Sequence, residues 1–125
     1  MSDSYVLQLA PVVVPTIDGK LIEEHVGRVI SNEPGLSIAH MVAPPGWSEP
    51  HQTPEFDEYI MMVRGRKQIE IDGETVTLNF GESLLVRKGA RVRYSNPFDV
   101  EVEYWSGCMP AFSPDLVNRD EDSGN

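Results

Sequence analysis

Residues 46–65, GWSEPHQTPEFDEYIMMVRG, decide how this chain folds. The stretch opens at a glycine that follows two prolines, carries mostly polar side chains in its first half, and becomes the apolar run 59–63 before it stops at Gly65. An apolar run of that length between turn residues indicates a buried strand. Polar groups at the mouth of such a strand indicate a binding or catalytic site, because burying them without a partner is costly.

The segments on either side of this stretch are short and alternate between apolar and polar residues. Turns containing Gly, Pro or Asn separate the alternating segments 36–42, 68–72, 75–80, 91–95 and 100–105. Strands that recur about every eight to twelve residues indicate an all-β sandwich or barrel. No long helical pattern interrupts them.

The chain is predicted to be one domain, in which a central barrel is flanked by an N-terminal arm and a C-terminal segment. Its 125 residues suit a single core. Residues 1–15 are predicted to form an N-terminal arm or edge strand, because the prolines within them cannot donate inside a sheet. Residues 16–112 form the barrel, and residues 113–125 hold a short helix and a disordered tail. Ser113 and Pro114 favour that helix, since serine caps a helix well and proline suits its first position.

Charge and composition exclude several kinds of partner. The net charge is −10, from 20 acidic and 10 basic residues, and such a field repels nucleic acid and anionic membranes. The N-terminal residues lack the pattern of a secretory signal, and no apolar run approaches the length of a membrane span. The single cysteine, Cys108, excludes an intrachain disulfide. We therefore expect a cytoplasmic protein without membrane or nucleic-acid partners.

The spacing of residues within the opening stretch resembles the first motif of the cupin family. Gly46, His51, Glu58 and Gly65 stand at the positions of the family's first glycine, first histidine, glutamate and last glycine. Thr53 stands where the family has its second histidine.

The second cupin motif is matched further along the chain. Gly81, Gly89 and Asn96 fall on its spacing, while Arg87 replaces its proline and Val92 replaces its histidine. Two motifs in register imply the cupin fold, a double-stranded β-helix or jelly-roll barrel, closed here by a short C-terminal helix. Such barrels commonly hold a metal at their centre.

The resemblance implies only part of the family's metal site. Cupins use three histidines and one glutamate, of which His51 and Glu58 remain. A divalent ion (Fe, Mn, Ni or Zn) would need further ligands, because a catalytic site normally has at least three. The candidates are His40, which could point into the barrel, and Glu55 and Asp57. A metal-free site remains an open alternative.

The alternation predicts that Glu58, Ile60 and Met62 on one strand and Ile69 and Ile71 on another face inward and line a mostly apolar pocket. Such a pocket has possible chemistry without a metal. His51 and Glu58 could act as base and acid on a carbonyl or enol substrate, and Tyr94 could donate a hydrogen bond to a developing oxyanion. These three residues are the candidate catalytic residues.

The strand around Val92 allows two registers. In the preferred register Val92 and Tyr94 face inward, and the flanking arginines are exposed. Those arginines, Arg91 and Arg93, would then pair with the acidic residues at 101 and 103. A bulge that shifted the register by one residue would instead bring both arginines into the barrel and suit an anionic substrate.

Two hypotheses about function stay open. The first is a small cupin enzyme of the isomerase, cyclase, lyase or oxygenase type that acts on a polar small molecule. The second is a non-catalytic cupin that binds a small molecule, or dimerises, after losing its metal site. In either case we expect a small-molecule ligand and a homodimer, to which the apolar arm at residues 6–14 would contribute.

Overall fold

The computed structural model describes residues 4–120, which form two antiparallel sheets around a shared core. The strands are β1 (Val12–Val13), β2 (Leu21–Val26), β3 (Ser37–Ala43), β4 (Asp57–Arg64), β5 (Lys67–Ile71), β6 (Glu74–Leu78), β7 (Ser83–Val86), β8 (Val92–Ser95) and β9 (Val102–Met109). The two helices of this region are α1 (Arg28–Ser31) and α2 (Pro114–Val117). The predicted disordered tail at residues 121–125 lies outside the described residues.

The larger sheet has six strands in the order β1-β2-β3-β9-β4-β7, and the smaller has three in the order β6-β5-β8. Strand β9 therefore lies between β3 and β4, although it follows both by many residues. The predicted jelly-roll barrel with a short C-terminal helix is confirmed. Ser113 caps α2 by accepting a hydrogen bond from the backbone N–H of Asp115.

The alternation predicted which side chains face the core. Strands from both sheets contribute inward-facing residues that are almost completely buried. These residues include Ile60, Met62, Ile69, Val92 and Tyr94. The buried positions follow the period of two that a strand with one solvated face requires.

The apolar run 59–63 predicts a buried strand, but β4 is buried on its inner face only. Tyr59, Met61 and Val63 are 39%, 51% and 37% exposed. Their neighbours Ile60 and Met62 point into the core. The larger sheet has the smaller sheet on one side only, so alternate apolar residues of β4 are left at the surface.

Both helices of the described chain are single turns, so neither is long enough to cross a membrane.

Candidate functional site

A cavity of about 230 Å³ lies between the two sheets. Strands of both sheets line it, together with residues from the segment before β4 and from the segment around α2. Its polar lining includes Lys20, Glu49, Gln52, Glu58, Lys67 and Tyr94.

Glu58 presents its carboxylate to this cavity from β4. The Tyr94 hydroxyl donates a hydrogen bond to Oε1 of Glu58 at 2.9 Å, and the Ser106 hydroxyl donates to Oε2 at 2.6 Å. Burial, and then the negative charge of Glu58, raise the pKa of Tyr94 well above its usual value. Tyr94 therefore remains a protonated donor. The structure brings together two of the three predicted catalytic residues.

Lys67 is the most deeply enclosed basic residue of the site. The residue is 1% exposed, and its Nζ lies 3.2 Å from the centre of the Tyr104 ring and 4.8 Å from that of Tyr94. Within residues 4–120, its ammonium group makes no hydrogen bond or ion pair. Burial, and then the nearby charge of Lys20, lower the pKa of Lys67 well below its usual value, although Glu58 partly offsets this.

Lys20 approaches the same group of rings from the loop before β2. Its Nζ lies 4.6 Å from the centre of the Trp47 ring and 5.8 Å from that of Tyr104. Burial alone would lower the pKa of Lys20, but the Tyr104 hydroxyl and Glu49 raise it overall. Lys20 is therefore a cation at neutral pH.

Tyr104 is completely buried between these lysines. Burial raises its pKa to about 12, although the charge of Lys20 opposes the rise. The hydroxyl oxygen has no hydrogen-bond partner of normal geometry in the part of the chain that the structure describes. A ligand oxygen in the cavity could supply the missing partner.

His51 does not converge with Glu58, which corrects the prediction. It does not line the cavity, and its Nε2 lies 4.0 Å from the Glu70 carboxylate. The reason lies in the next residue, because Gln52 exchanges both backbone hydrogen bonds with Val92. Directly opposed residues share a face, so Gln52 points inward with Val92. The flanking His51 and Thr53 consequently point away.

His40 also points away from the cavity, so its predicted role as an inward metal ligand is corrected. The register of β3 places Ala39 and Met41 in the cavity wall, which turns His40 to the outer face. There its Nδ1 lies 2.8 Å from Glu23 Oε1, and its Nε2 lies 2.6 Å from Glu103 Oε2.

Glu55 and Asp57 do not complete the site either. Glu55 accepts a hydrogen bond from the Asn118 side chain, and Asp57 accepts one from the backbone N–H of Lys88. Neither residue lines the cavity.

The preferred register of β8 is observed, but the predicted partners of its arginines are not. Arg93 pairs with Glu70 and Arg91 pairs with Asp120. The residues at 101 and 103 pair with Arg64 instead. The reason is that β8 is hydrogen-bonded to β5 and belongs to the other sheet from β9.

The residues at the cavity do not fit the metal of typical cupins. Across residues 4–120, no three His, Cys, Asp or Glu side chains cluster closely enough to hold an ion. Both oxygens of Glu58 already accept hydrogen bonds from hydroxyl groups. The Lys20 ammonium group in the same cavity would repel a divalent cation.

Cys108 lies in the cavity wall beside Glu58 on the neighbouring strand. Burial, and then the charge of Glu58, raise the pKa of this thiol well above its usual value. The thiol is therefore protonated at neutral pH and is a poor nucleophile.

The sequence reasoning missed several residues of the site. Lys67 is in phase with Ile69 and Ile71, so extending the predicted alternation back by two residues would have placed it inside. The same extension from Tyr104 would have found Ser106. Lys20 gave no such signal, because it precedes its strand and reaches the cavity from a loop.

Comparisons with known proteins agree with this architecture. The family model described as "Cupin domain" matches residues 39–107, which is more than half of the chain. A curated relative, "Endoribonuclease YbeY" of Myxococcus xanthus, is 44% identical over 108 residues, which are 86% of this chain and 37% of that protein. The chain therefore spans little more than a third of this relative's length.

Solved structures share the fold at low sequence identity. KdgF from Halomonas sp. has a TM-score of 0.69 at 16% identity, with 84% of this chain and 91% of that chain covered. A Cupin 2 conserved barrel domain protein from Salinispora arenicola has a TM-score of 0.67 at 17% identity, with 84% and 90% covered. For the Clostridium difficile EutQ protein the TM-score is 0.62 at 22% identity, with 74% and 63% covered. At these identities the likeness shows the fold alone. The family-model match and the jelly-roll architecture together show that this chain belongs to the cupin family.

Proposed function

We propose that this chain binds a small oxygen-bearing molecule in the cavity and that Glu58 and the Tyr94 hydroxyl contact it. The observation that carries the proposal is the fixed carboxylate of Glu58, held by two hydroxyl donors with Lys67 close by. A few convergent polar groups in an otherwise apolar pocket are typical of a small-molecule site. The cavity volume of about 230 Å³ is below the roughly 300–1,000 Å³ of sites for drug-sized ligands, which favours a molecule of few atoms.

The charges in the cavity favour a ligand that carries a carboxylate. Glu49 is 3.7 Å from Arg119, so these two charges balance each other. Glu24 accepts hydrogen bonds from two backbone N–H groups of α1. Lys20 keeps its positive charge in the cavity, whereas burial lowers the pKa of Lys67. An anionic group on the ligand would pair with the Lys20 ammonium group.

A titration followed by two-dimensional NMR tests this function. We expect pyruvate and lactate to shift the signals of cavity residues, and Lys20→Met to weaken binding by about tenfold or more, which is ~1.4 kcal/mol. Glu58→Gln should change the affinity, because Glu58 lies in the same cavity. Glu74→Gln is the matched control, because Glu74 is exposed on the β5–β6 hairpin. Unchanged cavity signals, or equal affinities for the Glu58→Gln and Glu74→Gln variants, would contradict the proposal.

Proton transfer is a second candidate function, of the isomerase type. It is favoured by the hydrogen bond from Tyr94 to Glu58, which places a carboxylate base next to a hydroxyl donor. Glu58 would take a proton from the carbon next to a ligand carbonyl, and the Tyr94 hydroxyl would donate to the enolate oxygen. The proton would return to carbon. Exchange of the methyl protons of pyruvate in D₂O should then depend on Glu58 and not on Glu74. Absence of exchange would contradict proton transfer, and only the binding function would stand.

The cavity chemistry is proposed to work without a metal. Elemental analysis of purified protein should find less than stoichiometric Fe, Mn, Ni and Zn. Stoichiometric metal that disappears in Glu58→Gln or His51→Ala would contradict this and restore the ligands expected from the family motif.

The relative's endoribonuclease name is not carried over to this chain. That name describes a protein of which this chain covers 37%. The net charge of −10 opposes binding to RNA phosphates. We propose that RNA is not the partner, and a filter-binding assay with single-stranded RNA at low salt should show no retention.

A homodimer is proposed from the outer face of the larger sheet. Tyr59, Met61 and Val63 are exposed there, and exposed apolar patches often mark protein interfaces. Light scattering should give twice the 14.0 kDa chain mass, and Met61→Lys should shift the mass to the monomer. A monomeric wild type would remove this proposal. A cytoplasmic location stays a prediction from the sequence.

A further inference from the structure

The three lysines of this chain stand in different environments. Lys67 is 1% exposed in the cavity wall, Lys20 is half-buried at its edge, and Lys88 is exposed in a turn. We propose that Lys67 is a nucleophilic amine that condenses with the carbonyl group of a small aldehyde or ketone to form an imine. This inference rests on the proposed function, because it names the class of molecule that the same cavity would take.

The position of Lys67 has no evident structural purpose. Its Nζ contacts the faces of Tyr104 and Tyr94 and, within residues 4–120, makes no hydrogen bond or ion pair. Enclosing an ammonium group without such a partner costs several kcal/mol, and an apolar side chain of similar volume is often as good or better for stability. A lysine held in this way is available to a molecule in the cavity.

The surroundings keep the Lys67 amine reactive. Burial among aromatic rings and the adjacent Lys20 charge both favour its neutral form, which is the form that attacks a carbonyl. Both lysines lie over the Trp47 ring, with Nζ at 4.6 Å for Lys20 and 5.6 Å for Lys67, so they share one small space. Lys20 keeps its charge and can hold a ligand carboxylate while Lys67 reacts.

The proposed step balances without an oxidant or a reductant. The Lys67 nitrogen forms a bond to the carbonyl carbon, and the C=O bond opens to a carbinolamine. The nitrogen loses two protons in all, the oxygen gains both, and water leaves as the C=N bond forms. Glu58 and the Tyr94 hydroxyl lie in the same cavity and can relay these protons.

Reductive trapping tests this proposal on the folded protein. Protein is incubated with pyruvate or with acetone and sodium cyanoborohydride, and intact-mass spectrometry follows the adduct. We expect one adduct, heavier than the protein by the mass of the carbonyl compound less one oxygen atom. Peptide mapping should place at least tenfold more of it on Lys67 than on Lys88.

Three variants separate a reactive amine from a structural one. Lys67→Met should fold, as judged by circular dichroism, and should lose the adduct, whereas Lys88→Met should retain it. In Lys20→Met the neighbouring positive charge is gone, so the pH at which trapping reaches half its maximum should rise. If Lys67 had only a structural role, trapping would not show a half-maximal pH that rises in Lys20→Met.

The outcomes distinguish this inference from the binding function. If NMR shows that pyruvate and lactate bind alike in the cavity and neither pyruvate nor acetone gives an adduct, the imine proposal is overturned and binding stands. Adducts spread equally over the three lysines, or confined to Lys20, also overturn it. If pyruvate and lactate both fail to bind and no adduct forms, both proposals fail.

Discussion

The Tyr94 hydroxyl of the smaller sheet donates a hydrogen bond to the Glu58 carboxylate of the larger sheet at 2.9 Å. Ser106 holds the second carboxylate oxygen from β9, at 2.6 Å. Glu58 is therefore fixed from two strands of different sheets, and its carboxylate cannot turn away from the cavity without breaking one of these bonds. This arrangement makes the cavity a defined polar site within an apolar core.

Tyr94→Phe should destabilise the fold by about 1.5–3 kcal/mol, the usual contribution of a hydrogen bond to a charged group. The reason is that one oxygen of Glu58 would lose its donor inside the cavity. Urea unfolding measures the change in the free energy of unfolding. Tyr59→Phe is the matched control, because Tyr59 is exposed on the outer face. Equal free energies of unfolding for the two variants would show that the Tyr94 hydroxyl contributes nothing.

Lys67→Met should stabilise the protein near neutral pH, by about 1–4 kcal/mol if the apolar side chain packs well. The pKa of Lys67 is lower in the folded state than the ordinary lysine value of about 10.4. The unfolded chain therefore binds more protons, and the cost of burying Lys67 is greatest below the folded pKa. The advantage of the variant should shrink as the pH rises through that pKa toward about 10.4.

Thermal and urea unfolding from about pH 6 to about pH 10 measure the difference in stability between Lys67→Met and the wild type. Lys88→Met controls for the loss of one positive charge, because Lys88 is exposed. A Lys67→Met variant less stable than the wild type at neutral pH would indicate that the lysine has a structural partner after all.

His40→Gln should cost about 1–3 kcal/mol near pH 6 and much less near pH 9. Burial would lower the pKa of His40, but its hydrogen bonds to Glu103 and Glu23 raise it overall. A raised pKa means that the stabilisation is complete below the unfolded value of about 6.5 and is lost as the pH rises through the folded value. In a background that carries Glu23→Gln and Glu103→Gln, the cost of His40→Gln should no longer depend on pH. Unfolding curves at the two pH values measure this cost in both backgrounds. A cost that is the same at both pH values would argue against the ion pairs.

Gly65→Ala should destabilise the protein by at least about 3 kcal/mol, whereas Gly73→Ala should cost about 1–2 kcal/mol. Both glycines have positive φ, of 79° and 87°. A Cβ on Gly65 would also lie 2.4 Å from the backbone oxygen of Glu101, while a Cβ on Gly73 would meet nothing within 4 Å. Urea unfolding compares the two variants, and similar costs would mean that the backbone around Glu101 can move aside.

Period-two alternation predicted the inward faces of β4, β5 and β8, because a strand with one buried face must repeat every second residue. It failed for His51 because that residue lies in a segment without its own alternation. There the backbone pairing of Gln52 with Val92 sets which side chains point inward. It also failed for His40, because both faces of β3 carry apolar residues and the pattern does not choose between them.

The family motif predicted the fold correctly but pointed to the wrong polar partners for Glu58. Motif spacing indicates where strands and turns occur. Gly65 is an example, because only glycine fits so close to the backbone of Glu101. Motif spacing does not report which side chains from distant strands meet. Tyr94 was predicted to be at the site, whereas Ser106 and Lys67 were not.

The sequence by itself determined the strands, their turns, the all-β architecture and most of the core. The reason is that backbone preference and hydrophobic alternation depend on each residue and its near neighbours in the chain. The tertiary structure alone decided that Glu58 is held by hydroxyl groups and faces lysines rather than histidines. That environment depends on which strands become neighbours across the barrel, and residues such as Lys20 and Lys67, far apart in the chain, acquire their charge states only when folding encloses them together.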